Sequence, residues 1–489
     1  MTFALVRMDK YLRIDRDPDT QTINVSGDRD VFVGNVKCNA FVQWIWKDNE
    51  LTLSNDRYGI YPVYYIEDKN SFTVSTSISK LLTFLSNIAF DEDALSVFLR
   101  MPWMLGDHTL FEQIKAVPPG SHLTWNRIGF KIRSDGRPSS QALSIKRNEA
   151  VAVYAEYFQK AVENTLPASD SIVLPLSGGQ DSRHILFELC RIEKRPDCVT
   201  AEFPPPLPNE DARIAAILAK KLELSHTLVK QPDERLKIEI IKNQKLGYVS
   251  VEHGWFSSMA DYIYEKSYGH SYDGIAGDVL SARYPHNKAA HALFRSYKFE
   301  ELADLLLGKE TYGTNFLTEE YSLKLPRERA ISFLADELRK HVTQVDPLAS
   351  FEFWNRTRRT IAPSPLRFLD NINVVMPFLE SNVFDFLYSL PVDVCKDGNF
   401  HRDTINYAFP QYAHIPYAYD SSKIRFDSHS FKNLAKDLLF FSMSSRRSKV
   451  IRRTPLNLRC VRALVDKKYR QTVTEFSDES IFLMQLERL

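Results

Sequence analysis

Cysteine is scarce in this sequence: five residues in 489, at Cys38, Cys190, Cys198, Cys395 and Cys460, odd in number and nowhere spaced Cys-x-x-Cys. That excludes a disulfide-built scaffold and a zinc or iron–sulfur site held by cysteine pairs, and it fits a reducing compartment. Charge of one sign is lacking too. Lys plus Arg number 63 and Asp plus Glu 62, a net of +1, so no overall field draws the chain to nucleic acid or to an anionic membrane. No stretch approaches the roughly 18 uninterrupted apolar residues of a membrane span. The segment from Met1 to Asp15 carries Arg7, Asp9, Lys10, Arg13 and Asp15, which leaves no apolar run of the signal-peptide kind. The expectation is a cytoplasmic protein with no membrane partner and with nucleic acid disfavoured. Internal repeats and low-complexity tracts are also missing.

What is present is the makeup of a globular chain, 44% apolar and 26% charged. Its length is roughly three times that of a common domain, so two or three folded units are expected. From Val31 to about Ile132, short apolar runs alternate with turns: Asn39 to Lys47, Glu50 to Leu53, Tyr61 to Ile66 and Ser71 to Ser75. The last two flank Glu67-Asp68-Lys69-Asn70 and have hairpin character. The polar stretch Ser134-Asp135-Gly136-Arg137-Pro138-Ser139-Ser140 is the best boundary, giving a β-rich unit over 1–135 and a second unit over 146–489. In the second unit a helix over Glu149 to Asn164, a strand over Ile172 to Leu176, a helix from about Arg183 and a strand over Cys198 to Phe203 alternate as in a parallel α/β sheet. After Phe294 the pattern is mostly helical, with strands hard to defend. The stretch from Ser444 to Arg470 is basic and reads as a solvated helix face, with a phosphate-bearing partner as the alternative.

The strongest chemical signal is Ser177-Gly178-Gly179-Gln180-Asp181-Ser182, set between the apolar strand and a helix with apolar positions at Ile185, Leu186, Leu189 and Ile192. Two glycines let the backbone come close to a ligand. The turn's N–H groups and serine hydroxyls can then cradle phosphate oxygens at the positive end of the helix dipole. A plain glycine-serine turn, the simpler reading, does not call for Asp181 one position before the second serine. Three more segments follow. Glu210 to Ala219 with Leu224-Ser225-His226 reads as an acidic-led helix and following strand. Gly274-Ile275-Ala276-Gly277-Asp278, with Ser281 and Tyr284, is a second glycine-rich turn. Met376-Pro377-Phe378-Leu379-Glu380 runs on to Phe386-Leu387-Tyr388-Ser389-Leu390-Pro391.

The first loop resembles the pyrophosphate-binding loop of the N-type ATP pyrophosphatases, and the four segments in this order resemble the asparagine synthetase family. Asp56-Arg57-Tyr58-Gly59-Ile60-Tyr61-Pro62-Val63-Tyr64-Tyr65, Thr109-Leu110-Phe111 and Pro118-Pro119-Gly120 are similar to segments of that family's glutamine-hydrolysing domain. The resemblance thus runs from about Val31 to Lys423. It implies an α/β chain: a reduced amidotransferase-like β-rich domain of the N-terminal-nucleophile (Ntn) type, then a parallel-sheet domain like the adenine-nucleotide α hydrolases (PP-loop), with a helical C-terminal region. It implies ATP and Mg2+ as cofactors. Ser177, Gly178, Gly179, Asp181 and Ser182 would surround the triphosphate, Leu176, Ala201 and Phe203 would flank the adenine, and Gly274 and Gly277 would shape the second turn. Asp181 and Asp278 would hold the metal, an ion bound by one or two carboxylates plus phosphates. A lysine late in the family's synthetase domain stabilises charge on the adenylate; Lys423 is the candidate, an exposed tail lysine being the alternative.

Two departures from the family shape the expected activity. Its glutaminase chemistry needs a cysteine as the first residue of the mature chain. This sequence opens Met1-Thr2-Phe3, and the stretch to Asp56 is too short for the usual glutamine-binding segments, so no glutaminase activity is expected. In this it resembles β-lactam synthetases, carbapenam synthetases and lasso peptide cyclases. The residue after the first glycine of the second turn is glutamate in asparagine synthetases and tyrosine in β-lactam synthetases; here it is Ile275, which moves no proton. Glu252 and His253 are candidates for base or acceptor binding, with a helix-start carboxylate and a packed histidine as the alternative. Arg356, Arg358 and Arg359 could hold a carboxylate or phosphate, or pair at the surface. The expected function is an AMP- and pyrophosphate-forming amide ligase acting on small-molecule or peptide carboxylates and amines, as in natural-product biosynthesis. A nucleotide-binding pseudoenzyme and an RNA-modifying enzyme are the alternatives, and a homodimer is left open.

Overall fold

In the N-terminal region, alternation of apolar and polar residues builds strands with one buried face. Ala40–Lys47 turns Ala40, Val42 and Trp44 inward, and Glu50–Asn55 turns Leu51, Leu53 and Asn55 inward. These two pair antiparallel with Lys47 opposite Glu50. Asp48 and Asn49 between them both have positive φ (53° and 59°), the conformation a tight hairpin demands and one that Asp and Asn tolerate. The computed structural model describes residues 9–138, 141–169, 171–203, 209–283, 288–418, 429–444 and 449–489. Two five-stranded antiparallel sheets make up the β region. One has the order Ile23–Gly27, Tyr11–Arg16, Ser71–Ser75, Tyr64–Asp68, Lys115–Ala116, and the other Gly129–Ser134, Ser121–Asn126, Glu50–Asn55, Ala40–Lys47, Asp30–Asn35.

Tyr11–Arg16 and Ile23–Gly27 lie ahead of the region the sequence pattern marks as β-rich. The strand expected from Tyr61 starts at Tyr64. Pro62 has no N–H for a ladder, and the Tyr61 N–H is taken by the Asp56 carboxylate at 3.0 Å.

The third sheet is parallel, in the order His226–Lys230, Asp197–Glu202, Ile172–Pro175, His270–Tyr272, Asn373–Val375. From Ile172–Pro175 the chain builds outward through two strands on one side, then returns to place His270–Tyr272 on the other. Strand order therefore reverses between Ile172–Pro175 and His270–Tyr272, and such a reversal opens a crevice at the strands' carboxyl ends. Both glycine turns leave their strands at that point. Asn373–Val375, three residues long within helical sequence, is an edge strand that the pattern after Phe294 does not reveal.

Helices dominate the remainder, so the whole is a mixed α/β chain with a helical C-terminal region. Phe353–Ile361 is wound as a π-helix, and this segment pins the β region. Arg358 donates to Gly59 O (3.2 Å), Val117 O (3.1 Å) and Asp107 (3.0 Å). Arg359 donates to Gly106 O and to His108 O (2.9 Å). The expected arginine cluster is thereby corrected: Arg358 and Arg359 are buried structural donors, neither ligand-holding nor surface-paired. Of the eight described basic residues of the C-terminal stretch, Lys449, Arg452, Arg462, Lys467 and Lys468 are exposed, as a solvated face requires, while three are spent within the fold, Arg453 on Glu487, Arg459 on the Tyr469 hydroxyl (2.7 Å) and Arg470 on Ala463 O (2.9 Å). Among the described residues no helix is long and apolar enough to cross a membrane.

Candidate active site

The first loop braces itself. Ser182 Oγ accepts the Ser177 N–H at 3.1 Å and lies 3.1 Å from Ser177 Oγ, which in turn accepts the Gly179 N–H at 3.1 Å. The Gly178 N–H donates to Asp211 Oδ1 (2.8 Å), on the helix Glu210–Lys221. A Cβ on Gly178 would stand 2.6 Å from the Cβ of Ala418, so only glycine fits there. Residues 415–418 are held over the loop by Arg183, which donates to Ile415 O (2.9 Å) and Pro416 O (2.6 Å) and stacks on Tyr417 at 3.8 Å. Lys423 lies outside the described residues.

The second turn is built around Asp181. A Cβ on Gly274 would lie 2.7 Å from Asp181 Cβ, and one on Gly277 would lie 2.5 Å from Asp181 Cγ. The two glycines therefore exist to let this backbone pass the side chain of the other loop. Between them Ala276 holds φ at 74°, a conformation a non-glycine residue adopts at a cost. Asp278 opens the π-turn Asp278–Ala282, with Oδ1 accepting the Val279 N–H at 2.7 Å.

Two cavities flank the aspartates, one of about 510 Å³ and one of about 370 Å³, and Ser177, Asp181 and Asp278 line both. The larger also has Gly179, Gln180, Asp211, Asp397 and Arg402 in its wall. The smaller has Ser182, Glu252, His253, Gly274, Ile275 and Arg356. The fold thus brings together residues from six separate stretches of sequence. Leu176, Ala201 and Phe203 line neither cavity. The Leu176 N–H is bound to Val199 O (2.8 Å) and its C=O to Thr200 Oγ1 (2.6 Å). The Phe203 N–H and C=O are both taken by the Asn209 side chain (2.8 and 2.9 Å).

Glu252 pairs with Arg356 at 3.5 Å, both partly exposed. His253 sits at φ 69° with Nδ1 buried and unpartnered; burial pushes its pKa down to about 4, so the ring is neutral. Two functional candidates escaped the sequence reading. Asp273 immediately precedes Gly274, and burial, assisted by the charge of Asp181, pushes its carboxyl up to about 7 against the pull of the Ile275 N–H. Arg402 brings a cation to the wall of the acidic larger cavity and lies over the Tyr417 ring at 4.4 Å. No motif spacing marks Arg402; the position of Asp273 beside the glycine turn was the available signal.

Known proteins resemble parts of this chain. Residues 32–134 match the glutamine amidotransferase domain family. The glutamine-hydrolysing asparagine synthetase 3 of Bacillus subtilis (strain 168) is 30% identical over 148 residues, 30% of this chain and 24% of that protein. Asparagine synthetase 1 of the same organism is 25% identical over 155 residues, 30% of this chain and 23% of the relative. An amidase of Gibberella zeae is 25% identical over 217 residues, 40% and 32% of the two chains. The matches span about a quarter to a third of these relatives' length. With an amidotransferase-type β region and matches to two asparagine synthetases, the chain is asparagine synthetase-like.

Proposed function

We propose that this protein is an ATP-dependent amide ligase that releases AMP and pyrophosphate and has no glutaminase activity. The observation that supports it best is the wall shared by the two cavities, where two glycine turns at a sheet reversal set Asp181 against the turn that carries Asp278. In this reading residues 1–135 form an Ntn-type amidotransferase-like domain and residues 146–489 a PP-loop synthetase domain. The loop Ser177 to Ser182 holds the triphosphate at the N-terminus of Asp181–Arg191. Leu176, Ala201 and Phe203 lie on the adenine side, and Arg402 opposes the charge of the departing pyrophosphate. The carboxylates of Asp181 and Asp278, both in the wall shared by the two cavities, suit Mg2+, which would be held by these two and would neutralise triphosphate charge.

Chemically, an oxygen of the substrate carboxylate attacks the α-phosphorus as the bond to the bridging oxygen breaks, and pyrophosphate leaves. The amine then attacks the acyl carbon, and AMP leaves with the electron pair of the acyl C–O bond. In this reading the amine's proton goes to Glu252 or neutral His253, both of which line the smaller cavity. Most of the acceleration comes from positioning and charge neutralisation. Cys38 is the one cysteine in 1–135. It is buried, accepts the Met376 N–H at 3.3 Å, and burial pushes its thiol up to about 12, so it offers no thiolate for glutamine hydrolysis.

A nucleotide-binding scaffold is the second reading, favoured by the Asp211 carboxylate on the Gly178 N–H and by Ile275. Pyrophosphate release from ATP and Mg2+, screened against pooled amino acids, peptides and amines with Asp181→Ala as control, tests both. Release lost in the control is expected; ADP as the product overturns the ligase, and ATP binding without release in any pool favours the scaffold.

A further inference from the structure

A cavity of about 740 Å³, larger than either cavity beside Asp181, lies where the β region meets the parallel sheet. His270 and Asn373 in its wall are the first residues of their strands. It therefore sits at the amino ends of a sheet whose carboxyl ends carry the glycine turns. No residue lines both this cavity and either of the other two, and the chemistry proposed above makes no use of it.

Two sheet edges border it. Among the described residues, Asp30–Asn35 is the outer strand of its sheet and pairs only with Ala40–Lys47, and Asn373–Val375 is the outer strand of the parallel sheet and pairs only with His270–Tyr272. The pairing fixes which backbone groups each edge leaves over. The Trp46 N–H donates to Arg29 O (2.7 Å), and hydrogen-bonded pairs recur at every second residue of an antiparallel ladder. Val31, Val33 and Asn35 therefore bond inward to Trp44, Val42 and Ala40, while the N–H and C=O of Phe32 and Gly34 point outward. On the other edge the Asn373 N–H donates to Gly269 O (3.0 Å) and Val375 O accepts the Asp273 N–H (2.8 Å), so the groups of Val374 between them point outward. Phe32, Gly34 and Val374 all line the cavity, and among the described residues these outward groups have no backbone partner.

Free groups along an edge are a template for another extended chain. Phe32 and Val36 add apolar surface to this one, 53% and 56% exposed. The wall's charges are mostly engaged: Lys10 reaches Asp28 at 3.3 Å, and Asp370 accepts the Tyr264 hydroxyl at 3.2 Å. Lys37, just past the edge strand, is exposed and makes no ion pair among the described residues.

We propose that this cleft binds an extended segment of another polypeptide, which adds as a strand to the edge Asp30–Asn35 and sets a carboxylate against Lys37. Main-chain bonds to Phe32 and Gly34 fix its register, and Phe32 and Val36 take apolar side chains. From Phe32 to Val36 the edge runs about 13 Å at about 3.3 Å per residue, room for about five residues of peptide. Residues 369–374 wall the same cleft, so a single extended chain enters where a second folded copy, with its own wall beside the same edge, does not.

Panning a displayed library of random linear peptides on the full-length protein, then measuring fluorescence anisotropy with the selected peptides, tests this. Expected are peptides that alternate apolar and polar residues and carry an acidic one. Phe32→Pro removes an N–H that the ladder to Ala40–Lys47 does not use, a change an edge strand tolerates, and should weaken binding by about tenfold. Phe32→Thr keeps that N–H and should lose less. Lys37→Glu should weaken the acidic peptides and leave unchanged those with glutamine in place of the acid. Bound peptide should slow hydrogen exchange over residues 30–37. Failure to enrich any peptide over bare support overturns the proposal, as do equal binding by wild type, Phe32→Pro and Lys37→Glu, or unchanged exchange at that edge. Should Phe32→Pro not fold, as its melting temperature will read, Lys37→Glu and exchange in the wild type decide. A dimer in sedimentation that Phe32→Pro dissolves assigns the edge to a second copy and overturns the peptide.

Discussion

Glu188 ties a single side chain to a pH-dependent stability. Burial pushes its carboxyl from 4.5 up to about 8, with Arg191 pulling the other way. The folded pKa therefore lies above the unfolded one, and between the two the folded state binds more protons. Stability falls as pH rises through that window: the cost is absent below about pH 4.5 and complete above about pH 8. Glu188→Gln is close in size and has no proton to lose. Relative to wild type it should gain melting temperature steadily from pH 5 to pH 8; a gap constant across that range contradicts the burial of an uncharged carboxyl. Asp273, pushed up to about 7 in the smaller cavity, adds a second group of the same sign.

Among the elements, the glycine turn after His270–Tyr272 leaves the least room. Gly277→Ala places a methyl group 2.5 Å from Asp181 Cγ, so either the turn or the carboxylate must move. Overpacking of this kind costs about 1–3 kcal/mol in denaturant unfolding, and pyrophosphate release should fall at least tenfold, the penalty of displacing a charge-positioning group. Gly269→Ala, in a position with nothing within 4 Å of its Cβ, is the matched control and should change neither. This turn and the loop Ser177 to Ser182 were legible in the sequence because close backbone approach demands glycine locally, and glycine spacing survives without knowledge of the fold. His401 was not, because its neighbours Asp181 and His184 lie over 200 residues away, and neither was Arg402, because the loop Ser177 to Ser182 whose cavity it lines is equally distant in sequence. Phe353–Ile361 misled for another reason. Its π winding departs from the 3.6-residue period, so a run of three arginines in four positions gave no hint that Arg356 faces a cavity while Arg358 and Arg359 face the β region. Asn373–Val375 is too short for any period to show.

At the scale of the whole molecule, Phe353–Ile361 joins the β region to the smaller cavity. One flank of the helix donates through Arg358 to Gly59 O and Val117 O, while Arg356 and Thr357 line the cavity beside Glu252 and Ile275. If the β region has no glutaminase chemistry, it still has work, because it fixes the helix that lines the smaller cavity. Arg358→Met keeps the length of the side chain and removes its donors, leaving two carbonyls and Asp107 without their buried partner. Each such loss costs about 1–3 kcal/mol, so a drop on the order of 3 kcal/mol is expected in unfolding experiments. Hydrogen exchange distinguishes support from mere attachment. If the β region supports the site, exchange should quicken both around Gly59 and Val117 and along Phe353–Ile361, and any pyrophosphate-forming activity should fall more in kcat/KM than in nucleotide affinity, since the phosphate loop stands on the parallel sheet. If faster exchange is confined to the β region and activity is unchanged, the arginine serves only to attach that region, and the β sheets contribute nothing to the crevice.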